Sequence, residues 1–188
     1  MRRIAIVGCS GAGKSTLARA VGERLHLPVV HMDSLFWKPG WTESDHEEFR
    51  AKVEAAANAE AWVMDGGYIT QSTRRFERAE AIVWIELPIW LCLVRAVRRW
   101  LLNFGRSRAD LAPGCPERFD LAFYDYIWNW DRRTRPRMVR ALAEFAPATP
   151  VISLRSNRAM RAFVAGLAPA SSPPAEEPAR RARPPGPG

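Results

Sequence analysis

Residues 8–15, GCSGAGKS, satisfy the spacing G-x-x-x-x-G-K-[ST], and no other feature limits this chain so tightly. The apolar run Ile4 to Val7 feeds Gly8, and the helical pattern STLARAVGERL begins at Ser15 without a break. Strand, glycine-rich turn and helix start therefore stand in the order a phosphate-binding loop needs. The backbone of Gly8, Gly11 and Gly13 can approach a polyphosphate closely, the amides of Ser10, Ala12 and Thr16 add donors, and the helix N-terminus favours negative charge. Lys14 would reach the outer phosphates and Ser15 would offer its hydroxyl to Mg2+. A nucleoside triphosphate, ATP, is the expected ligand.

The length of 188 residues has room for one domain of ordinary size carrying a small excursion. No stretch approaches the length of a membrane-spanning helix, and MRRIAIVG is too short an apolar run for a signal sequence. The cytoplasm is the expected location. Cys9, Cys92 and Cys115 form neither a CxxC pair nor a zinc set and read as free thiols. A formal charge of +8 raises nucleic acid as a partner, but no RRM, KH, zinc-finger or helix-turn-helix signature supports it. The oligomeric expectation is a monomer or weak homodimer.

Apolar runs at 28–32, 62–64, 81–88 and 151–154 join the first to give five strands, alternating with helical segments. That alternation predicts an α/β fold with a parallel sheet, whose ligands lie at the carboxyl ends of the strands. SLFWKPGW reads as an aromatic loop, and a helix follows with Thr42 or Ser44 as its cap. The segment 105–120 reads as a mobile loop, then a helix carrying Phe119, Phe123, Tyr126, Ile127 and Trp130 runs toward Pro136. The expected organisation is one unit over 1–167, with a lid excursion at about 100–135, and a disordered Pro/Ala/Arg-rich tail over 168–188.

Asp65, at the end of the third apolar run, is the candidate for orienting Mg2+ or its water shell. Asp33, at the end of the second, would bind an acceptor hydroxyl or amine, act as a base, or share the metal. The turn Gly66-Gly67-Tyr68 would let backbone approach a substrate. Arg74 and Arg75 follow it and would grip an acceptor phosphate or carboxylate. Arg106, Arg108 and Arg118 flank the mobile loop. Arg132 and Arg133 end the aromatic helix, where one would serve as an internal arginine finger. His31 reads as ordinary packing beside the second strand.

Taken together, GCSGAGKSTLA, VVHMDSLFWKPGW, WVMDGGY, IVWIELP, APGCPERFD, IWNWDRR and ISLRS resemble the bacterial P-loop group known as FlaR-like or DNA topology modulation proteins. That group is itself similar to adenylate kinase. The resemblance covers about residues 2 to 167. It implies the nucleoside monophosphate kinase fold, with five parallel strands in the order 2-3-1-4-5, helices on both faces and a helical lid. It also implies that Arg155 and Ser156 border the adenine. Asp65 and Gly66 carry over from the DG[FY]PR turn of adenylate kinases, whereas the proline and arginine do not. The expected activity is phosphoryl transfer from Mg-ATP to a nucleotide or small-molecule acceptor. An ATP-binding, DNA-associated protein is the rival expectation.

Overall fold

Alternation along the first strand fixes the layering. In the computed structural model, which describes residues 1–69, 73–105 and 114–168, β1 (Arg3–Gly8) is fully buried beyond its first residue. Ile4 and Ile6 join one core cluster while Ala5 and Val7 join the other, as a period of two requires. Burying each such aliphatic side chain contributes about 1.5–3 kcal/mol. Both faces must therefore be covered by helices.

After β1 come α1 (Lys14–Leu25), β2 (Val29–His31), α2 (Met32–Phe36), the short strands β3 (Trp37–Lys38) and β4 (Thr42–Glu43), α3 (His46–Ala57) and β5 (Trp62–Asp65). They continue with α4 (Thr73–Arg78), β6 (Ala81–Ile85), α5 (Ile89–Asn103), α6 (Leu121–Trp128), a π-helical turn (Trp130–Thr134), α7 (Arg135–Phe145), β7 (Val151–Leu154) and α8 (Asn157–Gly166). The main sheet is parallel in the order β2-β5-β1-β6-β7. Counting only its own strands, that is the expected 2-3-1-4-5. Ile4 pairs with both Val63 and Ala81, so β1 is central and the loop after it opens at the middle of the sheet's carboxyl edge.

Three local readings change. The aromatic stretch after Met32 is not a loop but a helix followed by an antiparallel hairpin, with Trp37 opposite Glu43 and Lys38 opposite Thr42. The cap of α3 is Asp45, whose carboxylate accepts from Glu47 N at 2.8 Å. Thr42 is held in β4, and the Ser44 hydroxyl donates to Leu35 O. The aromatic helix starts only at Leu121, capped by Asp120. It then slips into a π turn, where Arg135 N reaches back five residues to Trp130 O. Pro136 explains the slip: it has no N–H to continue the regular ladder, and it fits the first turn of α7.

Residues 106–113, including Arg106 and Arg108 of the expected lid, and 169–188 of the expected tail lie outside the described residues. Among the described residues no helix is long and apolar enough to cross a membrane.

Candidate active site

The phosphate loop is built almost wholly from backbone. Ala12 N donates to Cys9 O at 3.2 Å and Leu17 N to Gly13 O at 3.0 Å, closing the turn onto the start of α1. Gly13 caps that helix in a left-handed conformation, with no side chain competing for the first amides and no acid in the first turn. Gly11 has φ of 80°, and a Cβ there would lie 2.3 Å from Cys92 O on α5. Only glycine fits, and the loop is thereby seated on α5. Arg95 fastens the same junction: Nη1 donates to Ala12 O at 3.2 Å and Nη2 to Asn157 Oδ1 at 2.6 Å. Lys14 Nζ lies on Cys9 O at 3.0 Å. The thiols of Cys9 and Cys92 hydrogen-bond each other, which pushes Cys9 up and Cys92 down.

A cleft of about 1390 Å³ runs from this loop across the carboxyl edge of the sheet. Its phosphate end carries Ser10, Gly11, Gly13, Lys14, Ser15 and Thr16. Gly8 and Ala12 are buried behind them and shape the loop from within. At the opposite end Asp33 faces the cleft from α2, two residues beyond the end of β2 at His31 rather than at the strand end expected for it. Tyr68 donates its hydroxyl to Asp33 Oδ1 at 2.9 Å. Burial, reinforced by the Asp33 carboxylate, pushes the Tyr68 phenol up, so it stays a donor. Phe36, Trp37 and Trp41 form aromatic walls beside it. Gly67 leaves room for the Tyr126 hydroxyl, which a Cβ would approach to 3.2 Å.

Several expected site residues are placed elsewhere. Asp65 is 3% exposed and does not line the cleft. One of its carboxylate oxygens is taken by His31 Nδ1 at 2.5 Å, a polar pairing rather than the expected packing of His31. Arg75 grips no ligand: it is fully buried, and its Nη2 donates to Gly66 O at 3.0 Å and Tyr68 O at 2.7 Å. Burial pushes its guanidinium down to about 9, against the opposing field of Asp65. It braces the Gly66–Tyr68 turn from beneath. Arg74 is tied at the surface to Glu77 at 3.0 Å.

Arg132 and Arg133 are both exposed and off the cleft, and Arg133 pairs with Asp125 at 3.1 Å. The π turn shifts the helical phase, so Thr134 and Arg137 line the cleft instead. Arg155 is likewise turned away, toward Glu86 at 3.4 Å, while Asn157 and Arg161 of α8 line the cleft. Arg118 does face it. Sequence reasoning missed Arg95 and Arg99 as cleft residues. Their four-residue spacing, which places both on one face of α5 while Arg98 points outward, was the available signal. Arg99 is anchored by the buried Glu117 at 2.9 Å.

The family profile described as an AAA domain matches residues 4–80. A solved shikimate kinase from Acinetobacter baumannii, in complex with shikimate, superposes with a TM-score of 0.54 at 19% identity, covering 88% of this chain and 89% of that one. This chain has the α/β P-loop fold. Among curated relatives, the shikimate kinase of Corynebacterium glutamicum is 30% identical over 100 residues, and that of Corynebacterium efficiens is 32% identical over 100. Each alignment covers 46% of this chain and 59% of the relative. The likeness thus spans about three fifths of those proteins.

Proposed function

We propose that the chain is a kinase that transfers a phosphoryl group from Mg-ATP to a small-molecule or nucleotide acceptor. The observation that carries this reading is the single cleft joining the phosphate loop to Asp33 and Tyr68, with Arg95, Arg99, Arg118 and Arg137 set along it. Arginines spread over an outward face would favour the DNA-associated alternative. Within the P-loop fold, the motifs quoted above remain the ground for a FlaR-like assignment. The catalytic unit would be residues 1–167, with the lid between about 100 and 135.

In this reading the loop amides and Lys14 hold the transferring group and stabilise its charge. The acceptor oxygen attacks the terminal phosphorus, the bond to the ADP oxygen breaks, and Asp33 takes the acceptor proton. Tyr68 holds the carboxylate in place for that task. Mg2+, when bound, would neutralise phosphate charge. Ser15, at the start of α1 and on the cleft wall, fits as a ligand, whereas Asp65 fits only as a more distant partner, since it is buried and paired with His31. Arg118 and Arg137, rather than Arg132 and Arg133, are the better candidates for covering the phosphates.

The test is a screen of ADP formation with nucleoside monophosphates, with shikimate, whose kinases share this fold, and with other hydroxylated or amine acceptors. One acceptor should raise ADP formation well above slow hydrolysis. If none does, and duplex DNA binds with steep salt dependence instead, the DNA-associated reading replaces this one.

A further inference from the structure

The hairpin Trp37–Glu43 and the segment 114–118 are distant in sequence, and neither belongs to the main sheet. Contacts of several kinds nonetheless join them. Gly40 N donates to Gly114 O at 2.8 Å, Trp41 Nε1 to Pro116 O at 2.7 Å, and Cys115 Sγ to Lys38 O at 3.2 Å. The Arg118 guanidinium stands over the Trp41 ring at 5.5 Å. Gly114 fits against Pro39 so closely that a Cβ would lie 3.1 Å from the proline ring.

The backbone gives an independent sign. Trp41 has φ of 62°, a left-handed conformation that is unfavourable for a bulky L-residue and persists where the surroundings impose it. What the conformation gains is the placement of the indole. The ring meets Trp37 edge to face at 5.3 Å, and Trp37, Trp41 and Arg118 all line the cleft. Beneath this junction Cys115 is fully buried.

We propose that Trp41 is a positioning residue that pins the acceptor-side hairpin to segment 114–118, so that the two cover the cleft and move as one unit. Occupation of the phosphate end is then felt at the acceptor end through the hairpin, a positive coupling between the two ligands. The pin itself stands on the contacts above. The coupling between the two ligands, and its consequence for phosphoryl transfer, the exclusion of water from the reacting phosphate, rest on the kinase reading.

The test is the rate of Cys115 alkylation by N-ethylmaleimide in the full chain, with the modified peptide located by mass spectrometry because Cys9 and Cys92 are buried too. Trp41→Gly removes the ring while relieving the left-handed backbone, so its melting temperature should hold or rise as Cys115 labels about tenfold faster. Trp41→Phe keeps a ring face for Arg118 without the Nε1 donor and should fall between Trp41→Gly and wild type. A non-hydrolysable ATP analogue with Mg2+ should slow labelling in wild type and not in Trp41→Gly.

Equal labelling of wild type and both variants overturns the pin. If the analogue binds, by calorimetry, but leaves wild-type labelling unchanged, the coupling is overturned while the kinase reading stands. If the analogue fails to bind, the kinase reading fails, and the comparison of variants without ligand still decides the pin.

Discussion

The two ends of the cleft are made in different ways. The phosphate end comes from one unbroken stretch, β1 to α1, and its working atoms are largely main-chain amides held by short-range hydrogen bonds. The acceptor end is assembled from separate pieces: α2 and the hairpin, the 66–69 turn, segment 114–118, and the helices on either side of the π turn. Its shape depends on side chains that meet across gaps of 35 residues, as for Tyr68 with Asp33, or 75, as for Trp41 with Pro116. A local design tolerates change around it but not within it. An assembled design can be altered from many places, each with a moderate effect.

Substitutions should separate the two ends in a graded order. Lys14→Ala removes the cation of the loop and should lower kcat about 10²- to 10³-fold, with melting nearly unchanged because Lys14 holds only Cys9 O. Steady-state turnover alongside thermal melting checks this. Asp65→Asn should act on the fold instead, costing about 1.5–3 kcal/mol through the buried bond to His31. Denaturant unfolding measures that loss. An activity loss at Asp65 with full stability would return the residue to the metal role first expected of it.

Tyr68→Phe removes the hydroxyl that Asp33 accepts, and should cost about 1 kcal/mol in stability while raising the KM for the acceptor more than that for ATP. Equal changes in both KM values would deny the division of the cleft. The smallest effect lies away from both ends. Burial alone would raise the pKa of Glu86, but the hydrogen bonds from Arg135, Ser153 and Arg155 outweigh it and hold the carboxyl below its ordinary 4.5. A carboxyl depressed in the folded state stabilises above its unfolded pKa, and that contribution is lost as pH falls through the folded value. Stability should therefore decline as pH drops below about 4.5, and Glu86→Gln should flatten that part of the profile. An unchanged slope would mean that the Glu86 network contributes nothing.

The same contrast explains what could be read in advance. The loop geometry of Gly8 to Thr16 was legible because it follows from consecutive backbone positions, and the five parallel strands followed from apolar runs set between helices, whereas their order came only from the resemblance. Asp33 was legible as an acid near a strand end, although its helix was not, because Met32–Phe36 is too short to show a period. Arg132 and Arg133 were misplaced because the π turn before Pro136 shifts the helical phase, so regular spacing no longer tells which side chains face the cleft. Arg75 looked like a surface clamp and is a buried brace, since nothing local reveals that Gly66 O and Tyr68 O need its donors. The hairpin was hidden because its partner lies at 114–118, beyond the reach of any local pattern.

The measurement closest to the central claim is phosphoryl transfer itself, followed as ADP formed and phosphorylated acceptor recovered, in wild type and Lys14→Ala. The account expects one product molecule per ADP in the presence of the right acceptor, with the rate of transfer about 10²- to 10³-fold lower in Lys14→Ala. ADP formation that no acceptor accelerates, or transfer at an undiminished rate in Lys14→Ala, would contradict it.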